Sequence, residues 1–273
     1  MTTLGPPPKA AMPPAEVLDA FGVRAPPRRL TGGKGGTWQA GDVVLKPAEG
    51  EQETIWRAAV LSGLPESREF RVARPVRAAD GAWVVAGWEA TRWVAGRADL
   101  RRVDEVVRAG EAFHRAIAAL SRPSFLDLRQ DPWSYGDRLA FGEPVPPGST
   151  APSALLKPLL GVRRPIASPS QVVHGDLGGN VLFAEGLPPA VIDWPAYWRP
   201  PAWASAVAVT DAMVWHGVSP AVLDRWAHLP EWGQMLVRAL LYRIATWPAA
   251  RWTAPPDEAY RPTVQAVIQY AAS

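Results

Sequence analysis

The chain has 273 residues, which at about 150 residues per domain suggests two domains or one bilobal unit, and its 48% hydrophobic and 20% charged residues describe a globular protein rather than a disordered one. With 29 Lys and Arg against 26 Asp and Glu, the net charge of +3 argues for neither a nucleic-acid nor a membrane partner. The absence of Cys excludes disulfides, thiolate nucleophiles and Cys-based zinc sites.

Residues 1–25 lack the basic start and apolar run of a signal peptide, and no stretch approaches the ~20 apolar residues of a membrane span. The expectation is a cytoplasmic protein. Pro-rich patches at 6–14, 144–152 and 162–170 read as a tail and two linkers, and no internal repeat is visible.

Residues 14–21 predict a short helix between Pro14 and Gly22. A glycine cluster, Gly32-Gly33-Lys34-Gly35-Gly36, then feeds a β-hairpin turning at Gly41-Asp42 and ending in Val44-Leu45-Lys46. Residues 49–61 fit a helix with an acidic first turn. Residues 70–76 and 82–88 read as strands around a turn at Asp80-Gly81. After Gly96 the apolar period becomes helical through Leu100, Val103, Val106, Phe113, Ile117 and Leu120. From residue 200 onward, segments 201–216, 220–229, 231–247 and 261–271 all read as helices. The fold class is therefore α+β, with a small β-rich N-lobe holding one inserted helix and a larger α-rich C-lobe. The expected division is an extension at 1–25, an N-lobe and hinge at 26–91, and a C-lobe at 92–273.

The chemistry concentrates in 174–193. Val181–Ala184 and Ala190–Asp193 read as strands joined by the five residues Glu185–Pro189, which sets Asn180 and Asp193 at the open end of the hairpin. A carboxylate and an amide oxygen at cross-strand spacing, about 5 Å between Cβ atoms, can share one hard cation. Mg²⁺ suits them, because it takes few protein oxygens and completes its shell with phosphate and water. Asp176 lies four residues before Asn180, on a loop containing Gly175, Gly178 and Gly179. Phosphoryl transfer uses this arrangement: one carboxylate receives the hydroxyl proton while an amide and a later carboxylate hold metal.

The run His174-Gly175-Asp176-Leu177-Gly178-Gly179-Asn180, followed by Ile192-Asp193-Trp194, resembles the aminoglycoside phosphotransferase branch of the protein-kinase-like fold. The similarity runs from about residue 28 to the C-terminus, and Tyr197-Trp198-Arg199-Pro200-Pro201 resembles an actinobacterial subgroup of these enzymes. The resemblance implies that Asp176 is the catalytic base, that His174 braces its loop, and that Asn180 and Asp193 are magnesium ligands. It implies that Gly33, Gly35 and Gly36 cover the phosphates of ATP and that Lys46 holds the α- and β-phosphates, oriented by Glu53 or alternatively Glu51. It places the hinge after Trp88, with Glu89-Ala90-Thr91 meeting adenine through backbone groups. The implied activity is transfer of the γ-phosphate of ATP to a hydroxyl of a small molecule; the alternative is a nucleotide-binding pseudokinase.

The chain departs from the family pattern twice. Trp38 stands where a third glycine is usual, and the acid that commonly follows the metal-binding Asp is missing until Asp211. Asp131 and Asp137 are candidates either for the acceptor site or for a helix start. Trp133, Trp198 and Trp203 are candidates either for an acceptor pocket or for core. From 194 to 256, Asp211, Asp224 and Glu231 face five arginines, which favours a neutral acceptor over a polycation.

Overall fold

The computed structural model describes residues 12–30, 35–145, 153–250 and 257–272. The chain divides into two compact units. The first takes the chain up to Gly96 together with Phe183–Ile192; the second takes Arg97–Leu182 together with the chain from Asp193 onward.

In the first unit, α1 (Ala15–Ala20) precedes β1 (Arg28–Arg29), β2 (Trp38–Ala40) and β3 (Val43–Pro47); α2 (Glu51–Gly63), β4 (Arg71–Val72), β5 (Val84–Val85) and β6 (Trp88–Arg92) follow. Five strands form an antiparallel sheet in the order β1-β2-β3-β6-β5. Gly41, at a φ of +62°, turns β2 into β3. Val43 and Leu45 alternate inward along β3 and meet Val17 and Phe21 of the N-terminal helix, with Trp88 and Ala90 of β6.

Several expected boundaries move. The break at residue 25 is not one, because a six-residue helix gains its stability by burying an apolar face, and α1 does so in this core. Glu89, Ala90 and Thr91 do not form a hinge. They lie inside β6, opposite Lys46, Leu45 and Val44 of β3, and the first unit continues to Gly96. The β5–β6 connection is a tight turn at Ala86-Gly87, with both residues at positive φ. Alanine rarely adopts that conformation, so the sequence carries no signal for it.

The second unit holds β7 (Arg97–Ala98), α3 (Val103–Ala116), a 3₁₀ turn at Ser124–Leu128, α4 (Pro132–Phe141), α5 (Leu156–Val162) and β8 (Gln171–His174). The chain then makes the hairpin β9 (Val181–Ala184) and β10 (Leu187–Val191). Its turn is Glu185-Gly186, two residues rather than the expected five, with Gly186 at a φ of +70°. Pro188 and Pro189 belong to β10, beyond Ala190 and Val191, which pair in parallel with β4. Phe183–Ile192 therefore belongs to the first unit, not to the C-terminal one.

Next come β11 (Ala196–Arg199), antiparallel to β8, then α6 (Pro201–His216), α7 (Val222–Arg225), α8 (Trp232–Ala249) and α9 (Asp257–Ala272). Every residue of α6 from Ala202 to Met213 is buried. A helix apolar on all sides belongs at the centre of a bundle. Here α6 packs on α3, α8, α9 and β8, and Gly217 ends it in the left-handed conformation. Among the described residues, no helix is long and apolar enough to cross a membrane.

Candidate active site

The loop after β8 is held from both sides. A Cβ at Gly175 would collide with the Tyr197 ring of β11, and one at Gly110 of α3 would collide with the fully buried Leu177. Only glycine permits these close approaches. The Trp194 indole donates to the Val173 carbonyl at 3.1 Å, and the Gly175 N–H donates to the Pro195 carbonyl at 3.2 Å. These bonds set the segment that begins at Asp193 beside the loop. Asp193 is exposed and has a φ of +49°, a left-handed conformation that Asp tolerates better than most residues.

Within the loop, the bracing runs through two histidines. The His174 Nδ1 accepts the Asp176 N–H at 3.1 Å, and His114 Nε2 on α3 accepts the His174 N–H at 2.9 Å. Both rings are buried. Burial, with His174 nearby, pushes the pKa of His114 down to about 3, so its ring stays neutral and its Nε2 remains an acceptor. His174 therefore acts on Asp176 through the backbone, and His114 is a residue that sequence spacing did not point to.

The carboxylate of Asp176 is half-buried and held by two side chains. The Asn180 amide nitrogen donates to the Asp176 carbonyl at 2.7 Å and to its Oδ2 at 3.3 Å. This turns the Asn180 oxygen, the atom that would ligate a metal, away from Asp176. Arg243 on α8 donates from Nη2 to Asp176 Oδ1 at 2.5 Å, and the same nitrogen donates to Oδ2 of Asp211 on α6 at 2.5 Å. Arg243 Nε also reaches both Asp211 oxygens, at 3.1 and 3.2 Å. Burial opposes the charge on Arg243, but Asp211 and then Asp176 overcome it and hold its pKa well above the ordinary value. Burial pushes the pKa of Asp211 upward while Arg243 pulls against it. Asp211, the first acid after Asp193 in the chain, thus reaches the Asp176 loop through an arginine.

In the first unit, Lys46 Nζ lies 3.5 Å from Glu89 Oε1. Glu89 is buried and also accepts from Arg57 Nη2 at 2.7 and 2.9 Å, and Glu53 Oε1 stands 3.9 Å from Arg57. Glu89, expected against adenine, is instead an acid at Lys46, because the β3–β6 register sets the two residues opposite each other. Of the two glutamates on α2 considered for that role, Glu53 is half-buried and Glu51 exposed. Gly35 has a φ of +73°, and its carbonyl accepts Arg29 Nε at 2.8 Å; Leu30 N–H bonds the Thr37 carbonyl at 2.9 Å across the neck of the glycine segment that also holds Gly36. Gly33 and Lys34 lie outside the described residues.

Other candidates have structural tasks. Asp131 caps α4 through the Ser134 N–H at 2.9 Å. Asp137 pairs with Arg199 through two bonds of 2.8 Å. Trp203 is fully buried among Phe141, Tyr197 and Tyr242. Trp133 does line a pocket, with Asp211, Arg243 and Tyr260.

Among the described residues, no group of three or more His, Asp or Glu side chains could hold a metal ion. The donor set in question is smaller: the oxygen of Asn180 and the carboxylate of Asp193. Two hard oxygen donors fit Mg²⁺ that also binds phosphate and water.

No family model and no curated protein sequence matches the chain. Solved structures match it in fold. An aminoglycoside phosphotransferase from Alicyclobacillus acidocaldarius is 17% identical over 97% of this chain and 96% of its own, with a TM-score of 0.58. Choline kinase LicA from Streptococcus pneumoniae is 12% identical over 93% of this chain and 97% of its own, with a TM-score of 0.57. Amicoumacin kinase hAmiN, in complex with AMP-PNP, Ca²⁺ and Ami, is 13% identical over 89% of this chain and 88% of its own, with a TM-score of 0.55. This chain has the protein-kinase-like fold of aminoglycoside phosphotransferases and choline kinases.

Proposed function

We propose that the chain is a phosphotransferase that moves the γ-phosphoryl group of ATP to a hydroxyl of a small molecule in the cytoplasm. The observation that carries this reading is the loop from His174 to Asn180. Its backbone is bonded to a histidine ring, and its Asp176 carboxylate is fixed between Asn180 and Arg243. In the reaction, a bond forms between the acceptor oxygen and the γ-phosphorus, and the bond from that phosphorus to the β,γ-bridging oxygen breaks. The hydroxyl proton passes to Asp176 Oδ2, the oxygen with the longer protein contact, and ADP leaves. Asn180 and Asp193 would hold Mg²⁺, which supplies charge neutralisation for the phosphates. Lys46, oriented by Glu89, with Glu53 nearby on α2, holds the α- and β-phosphates, and Gly33, Gly35 and Gly36 cover them. The AMP-PNP and Ca²⁺ bound by the amicoumacin kinase support a nucleotide and a divalent ion.

The Arg243–Asp176 ion pair favours a second reading. A base already bonded to a cation is also what a nucleotide-binding pseudokinase would tolerate. Mg²⁺-dependent ATP consumption across a panel of sugars, amino sugars, aminoglycosides and amino alcohols separates the two. Turnover with any acceptor supports the kinase; nucleotide binding without turnover on the whole panel supports the pseudokinase.

A further inference from the structure

Four helices of the second unit line a half-open pocket of about 240 Å³. Trp133 comes from α4, Trp215 from α6, Trp247 from α8 and Tyr260 from α9. These rings are organised rather than loosely gathered. The Trp215 and Tyr260 rings meet edge-on with centroids 5.4 Å apart. Trp215 remains 45% exposed, a costly position for the largest apolar side chain unless something covers it. Arg243, Asp211 and Thr246 supply the polar lining. Because Arg243 Nη2 also holds Asp176 Oδ1, the pocket is one side chain away from the proposed base.

We infer that this pocket receives the acceptor, and that the acceptor is an uncharged, single-ring alcohol about the size of a monosaccharide. The inference rests on the kinase reading and deepens it. Three features select the class. At about 240 Å³ the pocket lies below the ~300–1,000 Å³ of drug-sized ligand sites, which favours a single ring over a multi-ring antibiotic. Its walls are indole and phenol faces, which pack against the apolar C–H face of a ring while the hydroxyls at the edge reach polar groups. A polycation needs several uncommitted carboxylates; among the described residues the acid in the pocket lining is Asp211, which gives both oxygens to Arg243, while Asp131 caps a helix and Asp137 is held by Arg199.

The test has two stages, so that its failure and that of the kinase reading can be told apart. A thermal shift with Mg-ATP alone tests nucleotide binding without any acceptor; its absence removes the kinase reading and this inference with it. Given that shift, ATP consumption is measured with glucose, galactose, myo-inositol, choline and kanamycin at millimolar concentration. The expected result is consumption with at least one ring alcohol. Its KM should rise about tenfold in Trp215→Ala and in Trp133→Leu, while KM for ATP changes less than about twofold. Both positions are half-buried or exposed, so the fold should persist in each variant. The inference is overturned if no ring alcohol stimulates consumption, if choline or kanamycin is the better acceptor, or if neither variant changes the acceptor KM.

Discussion

Lys46 on β3 stands directly across the ladder from Glu89 on β6, with 3.5 Å between Nζ and Oε1. Glu89 is shared with Arg57, so one buried carboxylate orients two cations at the surface of the first unit's sheet. If Lys46 grips phosphate, its loss should weaken nucleotide binding directly. Mg-ATP should stabilise the wild-type chain by about 2.7 kcal/mol at a hundred times its dissociation constant. Thermal denaturation of Lys46→Ala under the same conditions should show most of that gain gone.

Asp176 and Asp193 should separate by role. Asp176→Asn should abolish transfer yet leave Mg-ATP binding close to wild type, because in the proposed mechanism Asp176 acts on the acceptor proton. Asp193→Asn should lose Mg-ATP binding itself while keeping its melting temperature, since Asn also tolerates the φ of +49° at this position. Calorimetric titration of both variants with Mg-ATP checks this, and equal losses of nucleotide affinity would contradict the division.

Arg243 neutralises a buried carboxylate as well as positioning Asp176. Arg243→Met should cost on the order of 3–5 kcal/mol, because it leaves Asp211 charged, buried and without its partner. Replacing both groups, Arg243→Met with Asp211→Leu, should recover most of the loss. Urea denaturation of the two variants decides the point; a double variant no more stable than the single one would refute the pairing account.

His114 makes stability depend on pH in a predictable direction. Its folded pKa of about 3 lies below the unfolded value near 6.5, so the unfolded chain binds the extra proton between those two values. Stability is therefore fully present above about pH 6.5 and falls as the pH drops toward 3. This residue contributes a slope of about 1.4 kcal/mol per pH unit. His114→Gln keeps an acceptor for the His174 N–H without the titration. Chemical denaturation across this range should give a shallower slope for the variant.

Ala86 occupies the first central position of the β5–β6 turn at a φ of 47° and is exposed. Asn followed by Gly is the preferred pair for such turns. Ala86→Asn should raise stability by about 0.5–1 kcal/mol, read from the shift of the denaturation midpoint at unchanged slope.

Local geometry is legible in the sequence wherever it depends on neighbours along the chain. The glycines that let residues 174–180 lie flat, and the four-residue step from Asp176 to Asn180, lie within one loop; the structure brings those two residues into contact. The helical period after residue 200 is legible for the same reason in α6, α8 and α9, since apolar spacing reports the buried side of a helix, whereas the helix expected over 220–229 is only the short α7. Arg243 and His114 were not legible. They meet the loop across 67 and 60 residues, and nothing in a helix's own period says which of its polar groups will face a distant carboxylate. The pairing of Glu89 with Lys46 is not legible either, because it follows from the β3–β6 register, and register is a property of two strands together. The sequence by itself determined which groups are candidates for the proposed chemistry. Tertiary packing alone decided which cations and rings hold them, because burial and ion pairing depend on distances that only the folded chain brings into range.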